Sequence, residues 1–250
     1  MPPKFAVIPA AGEGKRIRPY SEKVPKPMIQ VFNRPILAHV IDRCQDAGIL
    51  NIIIVVNPQS DAVKNYFGDG SEFGVSIEYV GQRKPEGIGH AVGLTEGVIE
   101  TPFVVYLGDE LYIDSDHRGF IQSFETSGFA ASIGIMRVED ESLIRKNYSV
   151  EIDLETHIIQ HLVEKPVKLT NNILGCGSYI FNETVFEAIR HTPRSKKKNE
   201  IEITDTLNTL RELGYTVGGY FLGGHYLNVT YPTDITKAEK LLSRDQDRIL

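Results

Sequence analysis

Two apolar rhythms alternate along the first half of this chain. Short uninterrupted runs, Phe5-Ala6-Val7-Ile8, Ile52-Ile53-Ile54-Val55-Val56 and Phe103-Val104-Val105-Tyr106-Leu107, have no polar face. Strands covered on both sides of a parallel sheet read this way. Between the first two, Ile36, Leu37, Val40, Ile41 and Cys44 recur at helical spacing, and Gly48 stands where a C-terminal cap belongs. A short helix over 61–67, a strand over 76–80 and a helix over 89–98 continue the alternation, which is the pattern of βαβ units. From about 130 to 229 the strands are shorter, over 131–138, 149–152, 158–163, 176–181 and 216–221. Helices over 183–191 and 204–213 interrupt them, and a last helix over 233–242 follows. The pattern predicts an α/β fold with a mainly parallel sheet flanked by helices. Without an internal repeat, low-complexity tract or linker, residues 1–250 are expected to form a single domain, its halves meeting near 115 in one continuous sheet.

Composition narrows the function classes. The chain has 250 residues, 41% hydrophobic and 24% charged, enough to bury a full core. A net charge of −6 and an isoelectric point near 5.7 argue against a general binder of nucleic acid or anionic membranes. Lys196-Lys197-Lys198, the one basic run, reads as a solvated loop. Cys44 and Cys176 sit in apolar patterns, far apart in sequence, and read as buried free thiols of a reducing compartment. The longest strongly apolar run, five residues, is far short of the ~20 needed for a membrane span. No cleavable apolar leader precedes the first strand, so a cytoplasmic location is expected.

The candidate chemistry lies just after the first strand, at Ala10-Ala11-Gly12-Glu13-Gly14-Lys15-Arg16, followed by Pro25-Lys26-Pro27. A strand that empties into small residues and glycine leaves backbone N–H groups free to face an anion. Arg16 offers a planar fork and Lys26 a point charge, suited to separate oxygens of a polyphosphate. The Walker loop is excluded, because Pro9 stands at its first glycine and Arg16 at its Ser/Thr position. The dinucleotide fingerprint is excluded too, with Ile17 at its third glycine and Pro19 interrupting a helix. The stretch reads either as a nucleoside triphosphate site or as a plain Gly-rich strand-to-helix connection. The seven histidines show no metal-ligand spacing, His90 reads as the start of a helix, and no Ser-His-Asp or Cys-His set points to covalent catalysis.

These residues resemble the signature of the sugar-phosphate nucleotidyltransferases, the glucose-1-phosphate thymidylyl- and uridylyltransferases. Its roughly G-x-G-T-R, Pro, P-K-P order reads here Gly12-Glu13-Gly14-Lys15-Arg16, Pro19, Pro25-Lys26-Pro27. Tyr79-Val80-Gly81-Gln82, Pro85-Glu86-Gly87, Leu107-Gly108-Asp109, Glu164-Lys165-Pro166, Gly177-Ser178-Tyr179-Ile180-Phe181 and Glu200-Ile201-Glu202-Ile203-Thr204-Asp205 follow in the family's order. Tyr226-Leu227-Asn228-Val229, with Pro232 and Asp234, matches imperfectly. The resemblance spans 5 to 240. It implies a Rossmann-like mixed sheet, with a nucleotide-binding half over about 1–115 and a sugar-phosphate-binding half over about 116–250. It also implies Mg²⁺-dependent transfer of a nucleotidyl group from UTP or dTTP to a sugar 1-phosphate, with glucose 1-phosphate the expected acceptor.

By the same resemblance, Ala10, Ala11, Gly12 and Gly14 would cradle the nucleotide, and Gln82 with the backbone of Gly87 would read the base. Arg16 would hold the departing phosphates, and Lys26 would bridge the α-phosphate and the sugar phosphate, both side chains facing the cleft. Lys165 would bind the sugar phosphate, with Glu164 and Gly177 lining the sugar site. Asp109 would ligate Mg²⁺ beside Asn228, near enough to share one hydrated ion. Four departures stand out: Asn228 for the family's second metal carboxylate, Glu110 for a frequent Asn, Ser149 for a pocket Gly, and Lys15 for Thr. They keep open a weakly active or regulatory nucleotide-sugar-binding homologue, as well as a cytidylyltransferase acting on an alcohol phosphate. Homo-oligomer formation is left open as well.

Overall fold

The computed structural model describes every residue except Glu13, Lys23, Lys197 and Leu250, and every side chain of the rest except Lys15 and 244–249. In chain order the elements are β1 (Phe5–Pro9), β2 (Gln30–Val31), β3 (Arg34–Pro35), α1 (Ile36–Asp46), β4 (Asn51–Val56), α2 (Ala62–Phe67) and β5 (Ser76–Gly81). Next come α3 (Ile88–Gly93), β6 (Phe103–Tyr106), β7 (Glu110–Ile113), α4 (His117–Ser127), β8 (Ala131–Arg137), α5 (Glu141–Lys146), β9 (Tyr148–Ile152) and β10 (Ile159–Glu164). The chain closes with β11 (Ile173–Phe181), α6 (Thr184–His191), α7 (Ile203–Glu212), β12 (Val217–Phe221), β13 (His225–Asn228) and α8 (Pro232–Ile249).

Strands β6, β1, β4 and β5 are parallel neighbours, as the doubly covered apolar runs predict. Beyond β6 the sheet changes character. β11 joins antiparallel, then β9 and β10, while β8 pairs with β11 and carries β12. The result is one mixed sheet across both halves of the chain.

Period-two alternation sends side chains of each central strand to opposite faces. Ala6, Ile8, Ile52, Ile54, Val104 and Tyr106 pack with Leu37, Ile41, Val63, Phe67, Phe120 and Ile144 on one face. Val7, Ile53, Val55, Phe103 and Val105 pack with Val92, Val185, Phe186, Ile189, Leu207 and Leu210 on the other. Burying one such side chain contributes about 1.5–3 kcal/mol, so helices cover both faces. A smaller cluster of Ile17, Ile29, Val31, Ile36, Leu111, Leu227, Val229 and Ile235 lies beneath the loop after β1.

The sequence-based expectations need correction in six places. The helix over 89–98 stops at Gly93, because Thr95 turns its hydroxyl onto the Val92 carbonyl (2.7 Å) and Gly97 adopts a φ of 84°. Helix α4 was not anticipated, although Asp116 caps it by accepting from the Gly119 N–H at 2.8 Å. Neither was α5, capped by Asp140. Strand β7 escaped too, since its pairing with β13 lies more than a hundred residues away. Strand β11 begins at Ile173 rather than 176, and α8 runs on to Ile249. Cys44 and Cys176 are free and buried. No helix of the described residues is long and apolar enough to cross a membrane.

Candidate active site

The parallel strands present their carboxyl ends along one edge, where ligands collect in open α/β sheets. β1 leads into Ala10 and Ala11, both buried, with the Ala10 N–H bonded to Val55 at 2.8 Å. Gly12 is exposed, and nothing lies within 4 Å of where its Cβ would be. Glu13 and the Lys15 side chain lie outside the described residues. Gly14 has a φ of 63°, and a Cβ there would meet Lys26 Cβ at 2.8 Å. The loop and the Pro25-Lys26-Pro27 segment therefore press together. Beyond Gly14, Ile17 is fully buried while Arg16 is exposed and has no partner among the described residues.

Lys26 departs from expectation. Rather than facing the cleft freely, it is 9% exposed, because its Nζ forms an ion pair with Asp109 Oδ2. The two prolines, a turn stabilised by Met28 N–H on Pro25 (2.8 Å), and that carboxylate together hold the cation. Asp109 follows β6 through Gly108, and its carbonyl accepts from the Val229 N–H at 3.0 Å. This brings the Asp109 and Asn228 segments side by side.

Extended backbone sends the next residue the opposite way. Glu110 points inward and is 3% exposed. Its Oε1 accepts from Tyr226 OH (2.7 Å) and Asn228 Nδ2 (3.2 Å), its Oε2 from Tyr112 OH (2.7 Å) and Gly177 N–H (2.7 Å). Burial and the Asp109 charge push its carboxyl up to about 7, opposed by the bonds from Tyr226, Tyr112 and Gly177. Asn228 is also engaged through its carbonyl, which accepts from Thr230 Oγ1 at 2.6 Å. The family's missing carboxylate at 228 thus has a neighbour: a carboxylate at 110, hydrogen-bonded to the residue that replaces it.

Glu164 ends β10, and Lys165 follows with a φ of 45°. Lys165 Nζ bonds Glu164 Oε1 at 2.7 Å, and the Lys165 N–H donates to the Asn147 carbonyl at 2.7 Å. Asn147 in turn receives Asn228 Nδ2 at 3.4 Å. Asn147 was missed in the sequence; its place just before the Tyr148-Ser149-Val150 strand was the available signal. The Leu107 N–H bonded to the Gly177 carbonyl at 2.9 Å joins the β6 end to β11. Arg16, Lys26, Asp109, Glu164, Lys165 and Asn228 thus lie on the strand ends or loops of this one edge, level with Gly177 inside β11.

Gln82 follows β5 and is 5% exposed. Its Nε2 donates to Gly87 O at 3.2 Å and lies 2.9 Å from His90 Nδ1. Gly87 has a φ of 104°, and a Cβ there would overlap the Ile201 carbonyl. Only glycine fits. The Ile201 N–H bonds Glu86 O at 2.8 Å, and the Gly89 N–H bonds Ile201 O at 2.9 Å. The Glu200–Asp205 motif therefore clamps the Glu86–Gly89 loop, linking two motifs that sequence alone treats separately.

Among the described residues no group of three or more His, Cys, Asp or Glu side chains can hold a metal ion by itself. Mg²⁺ does not require one, since it is bound by one or two carboxylates, waters and substrate phosphates. Asp109, its side chain 28% exposed, fits that donor set, and Asn228 offers only a carbonyl already accepting from Thr230. Covalent catalysis by cysteine has no support, because both thiols are fully buried and burial holds their pKa values well above the ordinary thiol value.

Residues 5–243 match the family described as nucleotidyl transferase. The low-salt glycan biosynthesis nucleotidyltransferase Agl11 of Haloferax volcanii is 31% identical over 243 residues, covering 96% of this chain and 66% of its own. The UTP–glucose-1-phosphate uridylyltransferase AglF of the same organism is 29% identical over 240 residues, covering 96% of this chain and 97% of its own. This chain thus spans just under two thirds of Agl11 but nearly all of AglF. The crystal structure of a putative glucose-1-phosphate thymidylyltransferase from Bacillus anthracis superposes with a TM-score of 0.85 at 26% identity, covering 96% of this chain and 95% of that one. With the family match running from the first strand into the last helix, this chain belongs to the nucleotidyl transferase family and, within it, to the sugar-phosphate nucleotidyltransferases.

Proposed function

We propose that this protein transfers a nucleotidyl group from UTP or dTTP to a sugar 1-phosphate, with glucose 1-phosphate the first candidate, releasing pyrophosphate. The carrying observation is the ion pair between Lys26 and Asp109, 83 residues apart in sequence, set between the triphosphate loop and the Glu164–Lys165 pair. That order along one edge matches the order of atoms in the reaction: pyrophosphate, α-phosphorus, sugar phosphate, sugar. The name of AglF supports glucose 1-phosphate and UTP, and the thymidylyltransferase neighbour supports dTTP.

A phosphate oxygen of the sugar would attack the α-phosphorus in line with the departing pyrophosphate. No protein nucleophile is required, so the chain positions two polyanions and neutralises their charge. Arg16, exposed and without a partner among the described residues, would fork onto the leaving phosphates, where charge develops. Lys26, held by Asp109, would contact the α-phosphate and the incoming phosphate. Lys165 would neutralise the sugar phosphate and Glu164 would accept from sugar hydroxyls. A bound Mg²⁺ supplies Lewis-acid polarisation of phosphate oxygens, and Asp109 would hold it.

Pyrophosphate release measured with UTP, dTTP, CTP and ATP against glucose 1-phosphate and phosphocholine, with and without Mg²⁺, tests the reading. Release requiring UTP or dTTP, the hexose phosphate and the metal supports it. Binding without release would instead identify a regulatory homologue, and release with phosphocholine a cytidylyltransferase.

A further inference from the structure

The polarity of the base-reading amide is set by a run of side chains behind it. Gln82 carries two amide protons and one carbonyl oxygen. Its nitrogen lies 3.2 Å from the Gly87 carbonyl and 2.9 Å from His90 Nδ1, so both protons have acceptors if Nδ1 is unprotonated. The tautomer of a histidine is fixed by what its other nitrogen meets. His90 Nε2 lies 3.3 Å from Glu86 Oε2, and a carboxylate only accepts. A proton on Nε2 suits that carboxylate and leaves Nδ1 bare to accept from Gln82. Arg194 Nη2 lies 3.3 Å from the same Glu86 oxygen, while its Nη1 donates to Asn199 O at 2.8 Å. The charge on Glu86 is thereby held in place. The Gly87–Ile201 clamp fixes the loop carrying both Glu86 and Gly87.

We infer that His90, oriented by Glu86 and Arg194, is a specificity-determining positioning residue that commits the Gln82 amide to present its carbonyl oxygen to the base. This rests on the proposed reading of Gln82 as the base contact. An acceptor at that position pairs with the N3–H of uracil or thymine and meets the bare N3 of cytosine with repulsion. Discrimination against cytosine thus originates in Glu86, two side chains away from the base. Without His90 Nδ1, only the 3.2 Å bond to the Gly87 carbonyl holds the amide nitrogen, so the flipped rotamer becomes more populated.

The test has two readouts. In the ligand-free protein, nitrogen NMR of His90 is expected to show the Nε2–H tautomer; a proton on Nδ1 overturns the inference. In turnover, His90→Leu is expected to narrow the UTP-over-CTP ratio of kcat/KM by about tenfold, with the change in KM rather than kcat. His90→Gln, whose side-chain carbonyl can accept where Nδ1 did, is expected to restore the ratio to within about threefold. Melting curves identify any variant that fails to fold. A folded His90→Leu enzyme that keeps the wild-type ratio overturns the inference and leaves the proposed reaction standing. A wild-type enzyme that accepts CTP as readily as UTP, with His90 in the Nε2–H form, removes the base role of Gln82 and the inference with it.

Discussion

The two sides of the cleft obey opposite rules. On the side proposed for the triphosphate, Gly12 is open to solvent and Arg16 is exposed without a partner among the described residues. Next to Asp109, by contrast, Glu110 is buried, and four donors converge on its two oxygens. Groups meant for a ligand keep their valences free, whereas groups that shape the cleft spend theirs on one another. Substitution on the first side should therefore cost turnover at constant stability. On the second it should cost stability first, because an unmatched buried donor carries a desolvation penalty.

Arg16→Ala carries the largest expected effect, a fall of about two to three orders of magnitude in kcat with the melting temperature unchanged. Lys26→Ala should match it in kcat and, unlike Arg16→Ala, lower the melting temperature, because it leaves Asp109 without its cation. Steady-state rates beside thermal melts check both. Equal melting temperatures for the two variants would erase the distinction between a free and a saturated side.

The Glu110–Asn228 contact comes next. Glu110→Gln presents an amide nitrogen where Tyr112, Tyr226, Asn228 or the Gly177 N–H now donates, a cost of about 1–3 kcal/mol by denaturant melts. Asn228→Asp would set a second carboxylate against Glu110, so it should destabilise rather than simply restore a metal ligand. In the Glu110→Gln/Asn228→Asp double variant the charge has moved rather than doubled. A double-mutant cycle is expected to show the two substitutions offsetting each other. Additive losses would mean the contact does not couple the positions.

His117 sharpens the comparison through pH. It is buried, with Tyr106 OH 3.1 Å from Nδ1 and no partner for Nε2. Burial and the nearby Arg43 charge lower its pKa to about 3 from 6.5. Below pH 6.5 the unfolded chain takes up a proton that the native protein refuses, so this residue lowers stability as pH falls from 6.5 towards 3 and contributes no pH dependence above 6.5. The expected loss is a few kcal/mol at most, at ~1.4 kcal/mol per unit. Denaturant melts of His117→Gln between pH 7 and 4 should show a shallower slope than wild type. The smallest effect is expected at Arg34–Asp42, a bidentate pair of 2.7 and 2.9 Å with both side chains more than two-fifths exposed. Asp42→Asn should cost less than about 1 kcal/mol, and less still in high salt.

Much of this architecture was legible in the sequence. Doubly apolar runs identified the parallel strands because each of their faces is covered, and small residues after β1 marked the loop proposed to hold phosphate. The motif order singled out Arg16, Lys26, Asp109, Gln82, Glu164 and Lys165, which the fold carries at strand ends or in turns. What escaped was long-range. The burial of Lys26 depends on Asp109, and β7 becomes a strand by pairing with β13. Glu110 was read as a substitution beside a metal ligand, yet its partners Tyr112, Tyr226 and Asn228 cannot be assigned by spacing. Local periodicity reports which face is covered, not which distant side chain covers it.

Stereochemistry at phosphorus tests the central claim most directly, since a single in-line transfer and a covalent enzyme intermediate differ there and nowhere else so cleanly. With a UTP analogue carrying one sulfur diastereomer at the α-phosphorus and glucose 1-phosphate as acceptor, phosphorus NMR of the nucleotide-sugar product is expected to show inversion. Retention would require a nucleophile on the protein, and absence of a nucleotide sugar with either UTP or dTTP would contradict the proposed reaction itself.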